Sequence, residues 1–288
     1  MNNLYEKFND VSDEQWYQLM VASLFNSTIE GCRFPGFPDK EFQERFAGRS
    51  GEKALCQAWQ FYRRIKKYAS KVGVAIGKET TICDFACGWG RITRFFLKDT
   101  IDRNIYGLDV LEDAINICRD TIEGPVFEVV PPFPPYPIAD RQFDIIAVFS
   151  LFSHLNEPTA RHIIQEFHRM LKPGGLVVLT SRGKVFMQHC EDTRRLDASS
   201  MTWYQKQLCH CCPDLFLDQM RYDNGKFLFY ECGGGGVAKK KMYGEAAVPY
   251  QWFEYNSQGR FSVCGVEKED TSTDIGQVLI ALKKMDYA

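Results

Sequence analysis

Four short apolar runs in the middle of the chain alternate with segments whose apolar residues recur every three or four positions. The runs begin at Ile82, Ile105, Phe143 and Leu176. Phe143-Asp144-Ile145-Ile146-Ala147-Val148-Phe149-Ser150 and Leu176 to Thr180 are nearly continuous, which predicts strands buried on both faces. Between the runs, Arg91 to Lys98 places Ile92, Phe95 and Phe96 on one face, and Leu111 to Arg119 reads as a second helix. Asn156 to Leu171 carries Ile163, Ile164, Phe167 and Leu171 at helical spacing, with Asn156 as its cap. Leu171-Lys172-Pro173-Gly174-Gly175 stops it. Strands alternating with helices through short connections predict an α/β domain, a parallel sheet covered on both faces.

The flanks read differently. Before the sheet, Asp13 to Ser27 and Gly51 to Val72 are predicted helices, with Trp16, Met20, Leu24 and Trp59, Tyr62, Ile65 on apolar faces. Phe34-Pro35-Gly36-Phe37-Pro38 between them is irregular. Beyond the sheet, residues 183–257 form a long insertion. It holds a helical stretch (Ser199 to Leu208), a strand (Lys226 to Tyr230) and the run Gly233 to Gly236, either a hinge or a plain connector. Arg260 to Val266 and Gln277 to Leu282 are expected to pair as an antiparallel hairpin that closes the sheet.

The junction of the first run with its helix carries the chemistry. Thr81-Ile82-Cys83-Asp84-Phe85-Ala86-Cys87-Gly88-Trp89-Gly90-Arg91 is a strand, a tight turn of small residues and a helix start. Glycines let backbone N–H groups approach a ligand, and the open N–H groups of a helix start favour oxygen atoms that carry negative charge. By itself this is equally an ordinary strand-to-helix turn. Asp109 ends the next run 19 residues after Gly90, a position suited to the hydroxyls of a ribose. As a helix cap for Leu111 to Arg119, it has an alternative role.

Asp84-x-Ala86-x-Gly88-x-Gly90, then Gly107-Leu108-Asp109, then Phe143-Asp144-Ile145-Ile146, then Leu171-Lys172-Pro173-Gly174-Gly175 together resemble a class I S-adenosylmethionine-dependent methyltransferase over residues 78–182. The resemblance implies a Rossmann-like sheet of seven mostly parallel strands with a closing antiparallel strand. It also implies S-adenosylmethionine (SAM) as cofactor. The turn from Asp84 through Ala86, Cys87, Gly88 and Gly90 would run under its methionine part. Asp109, with Val110 and Leu111, would hold the ribose, Pro132 and Phe133 would flank the adenine, and Ser150 to His154 would face the methyl group. Residues 1–77 would be a helical cover, 78–182 with 258–288 the cofactor-binding core, and 183–257, between the fifth and sixth strands, an acceptor-recognition cap. Two departures stand out. Ala86 replaces the first glycine of the turn, and no acid follows the third strand to receive the adenine amino group.

The formal net charge of −2 over 288 residues gives no bulk attraction to nucleic acid or anionic membrane. Arg63 to Lys67 and Lys239 to Lys241 read as a solvated helix face and a solvated loop. No apolar stretch approaches the roughly 20 residues of a spanning helix, and the first residues do not form a secretory signal. A cytoplasmic protein is expected. Of the eleven cysteines, several that sit in predicted strands or the turn (Cys83, Cys87, Cys264) read as small buried hydrophobes rather than a disulfide framework. Cys209-His210-Cys211-Cys212 lacks a second ligand pair at metal-site spacing, so no metal is expected and a reduced helix end is the better reading.

Methyl transfer requires an oriented acceptor and a destination for its proton. His154 is the candidate base, with Glu157 a weaker one; the alternative is a histidine that bonds a loop carbonyl. Tyr243, Glu245 and Tyr250 are candidate acceptor contacts from the insertion. The expected acceptor is a hydroxyl or amine of a small molecule, such as a natural product or an activated glycan. Monomer and homodimer are both open. Two other functions stay open: a cofactor-binding partner subunit without catalysis, and, against the missing third glycine, a nicotinamide-dependent oxidoreductase.

Overall fold

The computed structural model describes residues 4–232, 241–257, 259–269 and 276–285. The Gly233 to Gly236 run, Lys239 and Lys240 lie outside them. Seven strands form one sheet: β1 (Ile82–Phe85), β2 (Ile105–Asp109), β3 (Val126–Val129), β4 (Phe143–Val148), β5 (Leu171–Ser181), β6 (Phe261–Glu267) and β7 (Val278–Lys284). Their order is β6-β7-β5-β4-β1-β2-β3. Only β7 runs antiparallel, to β5 on one side and β6 on the other. This is the predicted sheet, and β1, β4 and β5 are as apolar and buried as expected.

Ten α-helices are described: α1 (Leu4–Phe8), α2 (Asp13–Ala22), α3 (Lys40–Ala47), α4 (Gly51–Val72), α5 (Glu112–Thr121), α6 (Glu157–Met170), α7 (Lys184–Arg194), α8 (Trp203–Leu208), α9 (Leu215–Asp223) and α10 (Tyr250–Asn256). Local signals set several boundaries. The Asn156 side chain accepts from Thr159 N at the start of α6, and Gly73, at φ 82°, ends α4. A Ser12–Gln15 capping box starts α2. The α6 helix stops at Met170, and β5 begins at once with Leu171, earlier than the predicted Leu176.

The helix expected over Arg91 to Lys98 is instead a 3₁₀ segment, Thr93–Lys98. All six of its residues are buried, so it has no solvent face. Its bonding is also diverted: Trp16 Nε1 donates to Phe95 O at 3.0 Å, and Arg94 Nε donates to Gly90 O at 3.2 Å. The N-terminal elements lie directly on this segment. Trp16 packs with Phe8 and Phe34. Beneath them, Lys66 and Lys98 meet Asp13 and Asp99 at 2.6–3.1 Å. The Tyr62 hydroxyl lies within hydrogen-bond distance of both carboxylates and donates its one hydrogen to the nearer, Asp99 Oδ2 at 2.6 Å.

Between β5 and β6 the chain builds α7 to α10 and a two-stranded ribbon, Leu228–Tyr230 with Glu245–Ala247. Phe186, Met187, Cys190, Leu208, Cys211, Cys212 and Leu228 form part of a small separate core there. One expectation is corrected: Cys211 is bonded to Cys232, so that part of the Cys209–Cys212 group is a disulfide and not a reduced helix end. The chain between the partners, which are 21 positions apart, folds α9 and the first strand of the ribbon back against the end of α8, a closure that sequence spacing does not reveal.

Candidate active site

The parallel strands deliver their following loops to one edge, the usual ligand edge of such sheets. Residues 86–91 follow β1, 110–111 follow β2, 149–154 follow β4 and Arg182 follows β5. At the turn, Ala86, Gly88 and Gly90 have φ of 61°, 54° and 72°. Three left-handed residues in five explain the preference for glycine there. Ala86 accepts the same conformation with a Cβ, at a cost of about 1 kcal/mol.

Asp84 anchors this turn. Its Oδ2 accepts from Thr93 N at 2.9 Å and Thr93 Oγ1 at 2.6 Å. Its Oδ1 is buried without a hydrogen-bond partner. Burial raises the carboxyl pKa to about 6, against the lowering pull of the Thr93 bonds and Arg91. Asp109 closes the other side: Oδ2 accepts from Gly88 N at 2.8 Å and Oδ1 from Leu111 N at 3.0 Å. Burial also raises the Asp109 pKa, while its backbone bonds lower it. The cap of α5 is Leu111, not Asp109. Cys87 is buried in the turn, and Val110 is half-buried beyond it. Pro132 and Phe133 follow β3, and Phe133 is 39% exposed. Ser150, at φ 61°, bonds Thr180 Oγ1 through its N–H, and its hydroxyl meets Ser153 and Gln277.

A second polar group sits where the β4 loop meets the insertion. Residues 153–156 are tied to 241–246 by bonds from Ala246 N to Ser153 O, Gly244 N to His154 O and Asn156 N to Met242 O. His154 Nδ1 lies 2.9 Å from the Gly244 carbonyl. A carbonyl only accepts, so the proton of the neutral ring is on Nδ1 and the lone pair is on Nε2. The ring stacks on Tyr243 at 5.0 Å. Burial and the neighbouring Arg182 lower its pKa to about 3, so it is neutral across the physiological range. Glu245 Oε1 lies 3.7 Å from Nδ1. Glu245, 3% exposed, pairs with Arg182 and accepts from the Tyr204 hydroxyl at 3.2 Å.

The structure thus brings His154, Tyr243 and Glu245 together, while Tyr250 stands apart as the first, 37% exposed residue of α10. Glu157 bonds Trp252 and Arg161. Arg91, Arg182 and Tyr204 were not singled out from the sequence. For Arg182 a signal existed: a cation directly after the buried strand that ends at Ser181.

Gly244 matters by its closeness. A Cβ there would lie 2.3 Å from the Tyr230 carbonyl oxygen. Gly244→Ala is expected to spread the ribbon and cost roughly 2–3 kcal/mol, read by urea unfolding; an unchanged unfolding midpoint would contradict the close packing.

The fold is the Rossmann-like fold of class I methyltransferases. Residues 82–175 match the family described as Methyltransferase domain. That stretch is therefore a methyltransferase domain, and SAM is the cofactor such a domain implies. A sterol 24-C-methyltransferase of Neurospora crassa is 30% identical over 122 residues, covering 40% of this chain and 31% of that protein. An uncharacterized methyltransferase of a Geobacillus species is 22% identical over 185 residues, covering 63% of this chain and 72% of that protein. Among solved structures, a candidate S-adenosylmethionine-dependent methyltransferase from Listeria monocytogenes superposes with a TM-score of 0.51 at 13% identity, covering 80% of this chain and 99% of that one. That likeness speaks for the fold alone. The residues present fit the cofactor: the unpartnered, buried Asp84 Oδ1 is an acceptor for an ammonium group. Among the described residues, no helix is long and apolar enough to cross a membrane.

Proposed function

We propose that this chain transfers the SAM methyl group to a hydroxyl or amine of a small molecule, a natural product or an activated glycan, held between the β4 loop and the insertion. The observation that carries this reading is the polar group of half-buried His154, Arg182 and Tyr243 around buried Glu245, with Tyr204 at its exposed rim, at the ligand edge of the sheet. SAM supplies a methyl on sulfonium sulfur, already activated for displacement. The protein's task is alignment, exclusion of water and handling of the acceptor's proton. His154 suits the last, because its Nδ1–H is committed to Gly244 and its Nε2 lone pair is left to accept a hydrogen bond from a hydroxyl or amine. A ring with a pKa of about 3 does not keep that proton; it orients the acceptor through Nε2, and the proton leaves to solvent water as the C–S bond breaks and the methyl–acceptor bond forms. The helices of residues 1–77 serve as the cover and 183–257 as the acceptor cap. The sterol enzyme's acceptor is not carried over, since the alignment covers 31% of that protein.

The test is transfer of a labelled methyl group from SAM to a panel of small hydroxyl and amine acceptors. His154→Ala is expected to lower turnover roughly 100-fold with SAM affinity nearly intact. Loss of both together would make His154 a structural residue. Transfer only to carbon acceptors would overturn the proposed acceptor class.

A further inference from the structure

The chain has one disulfide, and its other nine cysteines are free thiols. A disulfide framework pairs cysteines throughout a domain. A single bond among nine thiols acts locally, and this one lies beside the polar group of the insertion. Cys232 comes two residues after Tyr230, which lies opposite Glu245 in the ribbon, as Phe229 lies opposite Ala246 and Leu228 opposite Ala247. The second strand of that ribbon belongs to the segment that bonds Ser153 and His154 and pairs with Arg182.

The two ends of the bond are held unequally. On the Cys211 side, Arg194 of α7 donates from Nη1 to the Cys211 carbonyl at 2.7 Å and from Nη2 to the Cys212 carbonyl at 2.8 Å. Cys211 N donates to Leu208 O at 2.9 Å. None of these bonds needs the sulfur. On the Cys232 side, among the described residues, one backbone bond remains, from Cys232 N to Tyr230 O at 2.8 Å, within its own segment. Breaking the S–S bond therefore leaves the end of α8 in place and releases the end of the ribbon strand. Access is unequal too: Cys232 is 5% exposed and Cys211 is fully buried. Two thiols share the small core, Cys190 and Cys212. Burial pushes their pKa up, to about 11 and about 12. They stay protonated, and it is the thiolate that attacks a disulfide. The bond is thus protected from its own neighbours and open to an outside reductant.

We propose that Cys211–Cys232 is a thiol-exchange site for a dithiol reductant, and that its opening loosens the ribbon that sets Gly244 and Glu245 against His154 and Arg182. One thiolate of the dithiol attacks Cys232 Sγ; the S–S bond breaks, and Cys211 leaves as a thiolate that takes up a proton. The second thiolate of the dithiol then attacks its own partner sulfur in the mixed disulfide and releases Cys232, which is protonated in turn. Two electrons pass from the dithiol, which ends as a disulfide, to the protein, which gains two thiols. The consequence for methyl transfer rests on the acceptor site proposed above.

The experiment uses the full chain, purified without reductant, with dithiothreitol as the dithiol. Thiols counted after denaturation are expected to rise from nine to eleven on treatment. Hydrogen–deuterium exchange is expected to quicken about tenfold at the amides of 228–232 and 244–247, and to stay unchanged in β1 and β4. Replacing the dithiol with a disulfide oxidant, oxidised glutathione, is expected to restore both readings. The double variant Cys211→Ser with Cys232→Ser is expected to exchange like the reduced protein and to ignore dithiothreitol. If that variant does not fold, the wild-type titration decides alone. Eleven thiols with unchanged exchange at the ribbon overturn the inference. So do eleven thiols before treatment, nine after it, or a response to dithiothreitol that survives in the double variant. With any acceptor that gives turnover, reduction is expected to raise the acceptor KM several-fold and leave SAM affinity unchanged. A loosened ribbon with unaltered methyl transfer would instead strike the acceptor site on which that consequence rests.

Discussion

Asp84→Asn is expected to weaken SAM binding roughly 10–100-fold, the loss of a charge-assisted bond to the cofactor's ammonium, without lowering the stability of the protein at neutral pH. The two effects separate because the carboxylate serves two masters. Oδ2 anchors Thr93, a task an asparagine oxygen can also perform. Oδ1 has no hydrogen-bond partner in the protein and the nearby Arg91 charge does not offset its burial, so a ligand cation is the partner it lacks. The sign follows from the raised pKa. The folded-state value of about 6 exceeds the ordinary 3.8, so the folded protein binds the proton more tightly than the unfolded chain. This group's contribution to stability is fully present below pH 4 and is lost as pH rises to about 6. Above that, burial of the charge costs on the order of 3 kcal/mol, a penalty the asparagine does not carry. The wild-type protein should therefore bind SAM more weakly as pH falls, by up to about tenfold per unit below pH 6, and the variant should show no such slope. Calorimetry from pH 5 to pH 8 checks this. A pH slope that persists in Asp84→Asn would assign it to another group.

Glu245→Ala is expected to cost about 3 kcal/mol in urea unfolding, because it strands the Arg182 charge in a site that is only 14% exposed. Replacing both partners, Arg182→Met with Glu245→Leu, is expected to restore most of the loss, since neither charge then remains to be desolvated. The double variant is nevertheless expected to stay inactive. Tyr204 loses its acceptor, and His154 loses the carboxylate 3.7 Å from Nδ1. Recovered folding with recovered methyl transfer would show that the pair is merely structural. A single variant as stable as the wild-type protein would show that Arg182 has another way to be neutralised.

The contrast between these two groups bears on what could be read in the chain. Asp84, Gly88, Gly90 and Asp109 lie within one strand–turn–strand unit, and their chemistry depends on local conformation that short motifs report. Residues paired across the sheet or the insertion are different. Arg182 and Glu245 are 63 positions apart in the sequence, and nothing in either neighbourhood announces the other. The same holds for Cys211, read as part of a reduced helix end, and Cys232, to which the fold joins it. The segment after the turn shows a third limit. Ile92, Phe95 and Phe96 have helical spacing, but burial on every side and the diversion of the Phe95 carbonyl to Trp16 leave a 3₁₀ segment.

By itself the sequence determined the strand order along the chain, the α4 helix from Gly51 to Val72, the Asn156 cap of α6 and the cofactor turn. Each depends on hydrophobic period or on backbone needs within a few residues. Only the tertiary structure decided which charges meet. It set Asp84 Oδ1 apart from every donor, fixed the tautomer of His154 through Gly244 and closed Arg182 on Glu245. Those outcomes depend on burial and on contacts between distant segments, where the low dielectric makes a missing partner as consequential as a present one.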